Sequence, residues 1–222
     1  TDFGRFNLVT DDLHMGIASF VASARMFRTG FVDEPFLQAT DGSGSLVDQD
    51  RIYYMGISLG GHEGGVFMAL TDVVDFGILQ VGGGPWTTML ERSSNWSDYS
   101  IILDSWMRDP VDRQMVIVVT QMLWDPVDPA SYFRELGGKS ILMQEAIGDA
   151  QVPNVSTEFW ARSVGLSLVQ PSPTHPAGLD GVEAPLPAGS SALFQYDSMA
   201  RTDCGELPPE SNSPPEDTCA HG

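Results

Sequence analysis

Six consecutive residues, Gly56-Ile57-Ser58-Leu59-Gly60-Gly61, have the composition for nucleophilic chemistry. They follow a short apolar and aromatic run, Arg51 to Met55, that reads as a buried strand. They precede His62 to Leu70, which is compatible with a helix despite Gly64 and Gly65. A serine turned sharply between strand and helix takes strained backbone angles, and side chains two positions to either side collide. Gly56 and Gly60 would remove those side chains, and Gly61 would let the helix approach the sheet. The helix N-terminus brings N–H groups and the positive dipole end to the oxyanion that forms when a serine attacks a carbonyl. The N–H of Leu59 is then one of two expected donors. The plain alternative is a glycine-rich turn with an idle serine. A phosphate-binding loop is not supported, because no Lys-Ser/Thr pair follows these glycines and no Gly-x-Gly-x-x-Gly run occurs.

A serine nucleophile needs a base, and the base needs an orienting acid. For a serine on a strand-to-helix elbow the partners follow along the chain as acid, then His. Asp149 fits the acid. It lies just past an apolar run ending at Ile147 and is turned by Gly148, although Gly-Asp-Ala is also an ordinary turn. Asp125 and Asp128 are rivals that Pro126 and Pro129 mark as helix-ending turn residues. Four histidines compete for the base. His14 comes too early, and His62 stands four positions after the serine on the same helix. His175 precedes the last predicted strand and His221 follows it, so His221 is favoured, with His175 as the alternative base. His221 is the penultimate residue, where a fraying terminus would orient a base poorly.

The elements that must position these groups alternate. A helix capped by Thr10 or Asp11 carries Leu13, Ile17, Phe20, Val21, Ala24 and Phe27 on one face. Asp41 to Ser45 is a loop. Strands are expected at Arg51 to Met55, Phe76 to Val81, Ser140 to Ile147 and Ala192 to Tyr196. Helices are expected at His62 to Leu70, around Met115, Val118, Val119 and Met122, and at Phe159 to Val164. Pro and Gly dominate from Pro171 to Ser190. This alternation predicts an α/β chain, a mostly parallel sheet with helices on both faces. Residues 1–222 read as one partial catalytic domain, with 86–112 as a possible cap.

The 222 residues suffice for one domain with a sizeable core, and 42% hydrophobic with 18% charged residues is a globular composition. Thirty acidic against 11 basic residues give a formal charge of −19. That balance argues against nucleic acid and against anionic lipid as partners. No stretch reaches the roughly 20 apolar residues of a membrane span. The chain opens at Thr1 without an initiator Met, consistent with removal of an upstream segment. Cys204 and Cys219 flank a Pro-rich stretch, and a bridge between them would imply an oxidising compartment and brace the loop presenting His221. No cofactor is indicated, and no His/Cys spacing or tight Asp cluster suggests a metal.

The runs Gly56 to Gly61, Gly148-Asp149-Ala150-Gln151-Val152-Pro153 and Ala220-His221-Gly222 resemble bacterial secreted serine esterases and lipases of the α/β-hydrolase fold. Trp124-Asp125-Pro126 is similar to large envelope-associated members of that group. The resemblance spans about Asp2 to Gly222. It implies a carboxylic-ester hydrolase acting on a small-molecule or lipid ester through Ser58, Asp149 and His221, in an extracellular or cell-envelope location. Trp86, Trp96, Trp106 and Met89 could line an acyl pocket or simply pack. Such enzymes have earlier strands with a His-Gly oxyanion loop and a closing helix after the His. The chain therefore reads as truncated at both ends, with a raw sheet edge and an unnamed second oxyanion donor. A non-catalytic binding or scaffold protein, or an inactive fragment, on a hydrolase fold and a serine peptidase are the competing expectations.

Overall fold

The structure is a computed structural model and describes residues 5–197, the side chain of Asp98 excepted, and 220–221. The elements in chain order are α1 (Phe6–Thr29), β1 (Tyr53–Ile57), α2 (Leu59–Leu70), β2 (Phe76–Gln80), α3 (Trp86–Leu90), α4 (Trp96–Trp106), α5 (Pro110–Trp124), α6 (Phe133–Leu136), β3 (Ser140–Ala146), α7 (Asn154–Val164), β4 (Ser167–Gln170), β5 (Gly181–Glu183) and β6 (Ala192–Tyr196). The strands form one six-stranded sheet in the order β1-β2-β3-β6-β4-β5, and every pairing is parallel. The α/β class with a parallel sheet is as expected.

The layering follows from strand order. From β1 to β2 to β3 the chain steps the same way each time, and β3 to β4 continues past the place that β6 later fills. Right-handed crossovers repeated in one direction put their helices on one face. Accordingly α2 packs on β1 and β2 and α7 packs on β3, while α1, α3, α5 and α6 join the same layer. The return from β5 to β6 is a loop without a helix. Beneath the helices Leu79, Ile141, Met143, Leu168 and Leu193 are buried, with Val66 and Met68 of α2 and Trp160 of α7 against them. On the opposite face Tyr53, Met55, Ile57, Phe76 and Phe194 stand exposed. The second helical layer expected from the sequence is not found among the described residues. β1 is a sheet edge, as anticipated.

Several expectations need correction. α1 starts at Phe6 with Arg5 at its N-cap, and Thr10 sits inside it, its hydroxyl donating back to the Asn7 carbonyl. Ile17 and Ala24 are buried, but Phe20 and Phe27 are exposed. On α5 the apolar face that marks the helix in the sequence is the outer one. Met115, Val118, Val119 and Met122 are all exposed, whereas Ile117 and Trp124 face inward. β4 and β5 were not anticipated. They are four and three residues long, and β5 lies inside the Pro- and Gly-rich stretch.

Candidate active site

Ser58 stands between the last residue of β1 and the first of α2, with φ 57° and ψ −119°. A non-glycine residue at positive φ is strained and is kept only where its surroundings enforce it. Here the Ser58 N–H donates to the Gln80 carbonyl on β2 (2.9 Å), and the Ser58 carbonyl accepts from the His62 N–H (3.0 Å). The glycines divide the steric task differently from the sequence reading. A Cβ on Gly56 would lie 2.1 Å from the Gly60 carbonyl oxygen, and one on Gly61 would lie 2.4 Å from that of Gln80. A Cβ on Gly60 would meet nothing closer than the Tyr54 hydroxyl at 3.8 Å, so Gly60 is not required for space. That hydroxyl donates to the Gly60 carbonyl at 2.7 Å, a brace the sequence did not signal.

Asp149 follows β3 through Gly148, whose φ of 87° suits glycine. The Asp149 side chain is buried, and one carboxylate oxygen accepts from the N–H groups of Gln151 (2.9 Å) and Val152 (2.8 Å). The other lies 2.8 Å from His221 Nδ1, and His221 Nε2 lies 2.7 Å from Ser58 Oγ. Because a carboxylate only accepts, Nδ1 carries the proton toward Asp149 and Nε2 is left to accept from the serine hydroxyl. Ala220, beside the histidine, is buried in a small apolar cluster with Val81 and Ala146, against which Tyr196 packs. Val81 has φ 43°, a conformation a β-branched residue takes only under constraint, and its N–H donates to the Gln144 carbonyl.

The rival residues are engaged elsewhere. Asp128 accepts from the N–H groups of Trp86 and Ala130 and from the Gln121 amide, and Asp125 accepts from Gln121 and Ser131. His14 Nε2 is paired with the Pro126 carbonyl, and His175 is an exposed loop residue after β4. His62 is buried with its ring 4.1 Å from that of Trp86, and neither ring nitrogen has a partner in hydrogen-bond geometry. Burial pushes its pKa down to about 3, a loose backbone approach from Gly83 notwithstanding. Trp86, expected as a possible pocket wall, instead stacks on Trp124 at 4.7 Å within the core, where Met89 is also buried, and Trp106 is exposed. Cys204 and Cys219 lie outside the described residues.

Two neighbours of the site escaped sequence reading. Asn154, the first residue of α7, hydrogen-bonds backbone on both sides of Ile147. Glu145 on β3 is buried, accepts from the Gln195 amide (2.7 Å), and is pushed up to about 8 by that burial. Gln195 in turn accepts from Ser172 and Thr174. Neither residue belongs to a sequence motif. Asn154 follows Val152-Pro153 where a helix-start residue is unremarkable, and Glu145 looks like any strand carboxylate.

No protein-family model matches the chain, and no curated protein does. Among solved structures, uncomplexed acylaminoacyl peptidase from Pyrococcus horikoshii is similar with a TM-score of 0.40 and 17% identity, over 68% of this chain and 20% of that one. Its orthorhombic crystal form gives a TM-score of 0.40 and 15% identity, over 68% and 19%. The chain thus spans about a fifth of the length of those two chains. No helix among the described residues is long and apolar enough to cross a membrane.

Proposed function

We propose that the chain is the catalytic unit of a serine hydrolase that cleaves carboxylic esters through an acyl-enzyme. The observation that carries this reading is the continuous contact from Ser58 Oγ to His221 Nε2 and from His221 Nδ1 to Asp149, assembled from residues 163 and 72 positions apart in the chain. As Ser58 Oγ attacks the ester carbonyl, its proton passes to Nε2, and Asp149 holds the resulting imidazolium. Leu59 is the first residue of α2, so its N–H has no acceptor within the helix and is free to donate to the carbonyl oxygen as it becomes negative. When the tetrahedral adduct collapses, Nε2–H protonates the departing alkoxide and an acylated Ser58 remains. Water then attacks the acyl carbon, losing its proton to Nε2, and the acid is released with Ser58 restored.

The ester class rests on the resemblance of the Gly148–Pro153 and Ala220–Gly222 runs to secreted esterases. An extracellular or envelope location, a Cys204–Cys219 bridge and a cap over 86–112 belong to the same reading. The cap is supported by the Ser94 N–H, which donates to the Ala150 carbonyl beside Asp149 at 2.7 Å.

The test is hydrolysis of a short p-nitrophenyl ester, with labelling by a serine-directed fluorophosphonate. Wild-type chain is expected to turn over and to be labelled at Ser58. Ser58→Ala should lose the label and on the order of 10⁴-fold or more in kcat. Equal turnover by both chains would overturn the reading.

A further inference from the structure

Asp149 must present one carboxylate oxygen to His221 at 2.8 Å from a turn that begins where β3 ends. Its other oxygen is held by Gln151 and Val152 of the same turn, which fixes the carboxylate to the turn without fixing the turn to the sheet. Two backbone bonds tie the turn to the sheet, the Asp149 N–H donating to the Ala146 carbonyl (3.3 Å) and the Ile147 N–H to that of Tyr196 (2.9 Å), and Asn154 adds a side-chain connection to them. Its Nδ2 donates to the carbonyl of Ala146, the last residue of β3 (2.7 Å), and its Oδ1 accepts from the N–H of Gly148 (2.9 Å), the residue before Asp149. The side chain is buried and belongs to α7, so it joins three parts: strand end, turn and helix start. An amide alone among side chains of this size offers a donor and an acceptor side by side. Aspartate keeps the acceptor and lacks the donor, and alanine has neither. Removing the amide would leave the Ala146 carbonyl with only the longer bond from the Asp149 N–H (3.3 Å) and would take one bond from the Gly148 N–H.

We infer that Asn154 is a positioning residue for Asp149, its amide clamping Ala146 and Gly148 so that the free carboxylate oxygen stays in register with His221 Nδ1. The inference rests on the reading of Asp149 as the acid of a serine hydrolase, and the test separates the two.

Wild type, Asn154→Ala, Asn154→Asp and Ser156→Ala are compared. Ser156 is a buried neighbour on α7 whose hydroxyl donates to the Pro153 carbonyl, and it serves as a control for simple loss of packing. The first readout is the proton NMR signal of His221 Nδ1–H, assigned by its loss in His221→Ala, which needs no turnover. The second is kcat and KM for the p-nitrophenyl ester. Asn154→Ala should lose or broaden the signal and lower kcat by about 10- to 100-fold with KM within about twofold, the scale expected for displacement of a reacting group by an ångström. Asn154→Asp keeps one bond but turns an acceptor toward the Ala146 carbonyl, so it should also lose or broaden the signal and lower kcat. Ser156→Ala should keep both readouts even where its melting temperature drops. A wild-type signal and kcat in both Asn154 variants would overturn the inference, as would equal losses in Ser156→Ala or a wild-type chain without the signal. If Asn154→Ala does not fold, Asn154→Asp decides alone. If the signal behaves as expected but the wild type neither hydrolyses ester nor labels Ser58, the hydrolase reading fails and the positioning of Asp149 stands.

Discussion

A methyl group on Gly56 would sit 2.1 Å from the Gly60 carbonyl oxygen, and the obstacle is backbone rather than a side chain able to swing aside. On Gly60 the same methyl would touch nothing closer than 3.8 Å. Gly56→Ala should therefore prevent the elbow from closing, and little soluble folded protein is expected. Gly60→Ala should fold with a stability within about 1 kcal/mol of wild type, because alanine is the better helix residue and no positive φ is required of Gly60. Circular dichroism melts of the two variants check this pair. A folded Gly56→Ala chain would mean that the turn can open by more than an ångström.

At the scale of elements, α5 shows what periodicity conveys and what it leaves open. Met115, Val118, Val119 and Met122 recur at helical spacing and announce a helix correctly, but spacing does not say which stripe faces the sheet. Ile117 is only 6% exposed and Val119 is 60% exposed. Ile117→Ala should cost roughly 2–4 kcal/mol by leaving a cavity, and Val119→Ala within about 0.5 kcal/mol, measured by urea unfolding. Comparable losses at both would mean that the outer stripe is covered. The same limit explains the rest of the sequence reading. The elbow around Ser58 was legible because the residue types that mark it lie within three positions of the serine, although Gln80 on β2 also holds it. The contact of Asp149 with His221 was legible only as an order along the chain, and the distance is set by where β3 and β6 lie in the sheet. β4 and β5 were invisible because so few residues carry no period, and Asn154 because its partners are backbone atoms that no side-chain pattern marks. The bare sheet face follows from the direction of successive crossovers, which depends on strand order and not on any single segment.

Over the whole molecule, a formal charge of −19 sets the surface, yet the carboxylates that matter for stability lie inside. Burial raises Glu63 and Glu145 to about 8 from 4.5, and it lowers His62 to about 3 from 6.5. The signs oppose one another. Between pH 4.5 and about 8 the unfolded chain has released the two glutamate protons that the folded chain retains, so each glutamate makes the fold less stable as pH rises. The slope is about 1.4 kcal/mol per pH unit at most. Between pH 6.5 and about 3 the unfolded chain takes up a His62 proton that the folded chain refuses, so His62 makes the fold less stable as pH falls. Two glutamates outweigh one histidine from pH 4.5 to 6.5, and above 6.5 only the glutamates act. Stability is thus expected to fall from pH 5 to pH 8, and surface self-repulsion acts in the same direction. Glu145→Gln isolates the buried contribution, since glutamine is neutral at every pH and its carbonyl can still accept from Gln195. In urea unfolding the variant should match or trail the wild type near pH 4.5 and gain on it steadily up to about pH 8. A difference that stays constant across that range would show that the folded protein carries Glu145 ionised, with water or a cation reaching a carboxylate that is 1% exposed in this structure.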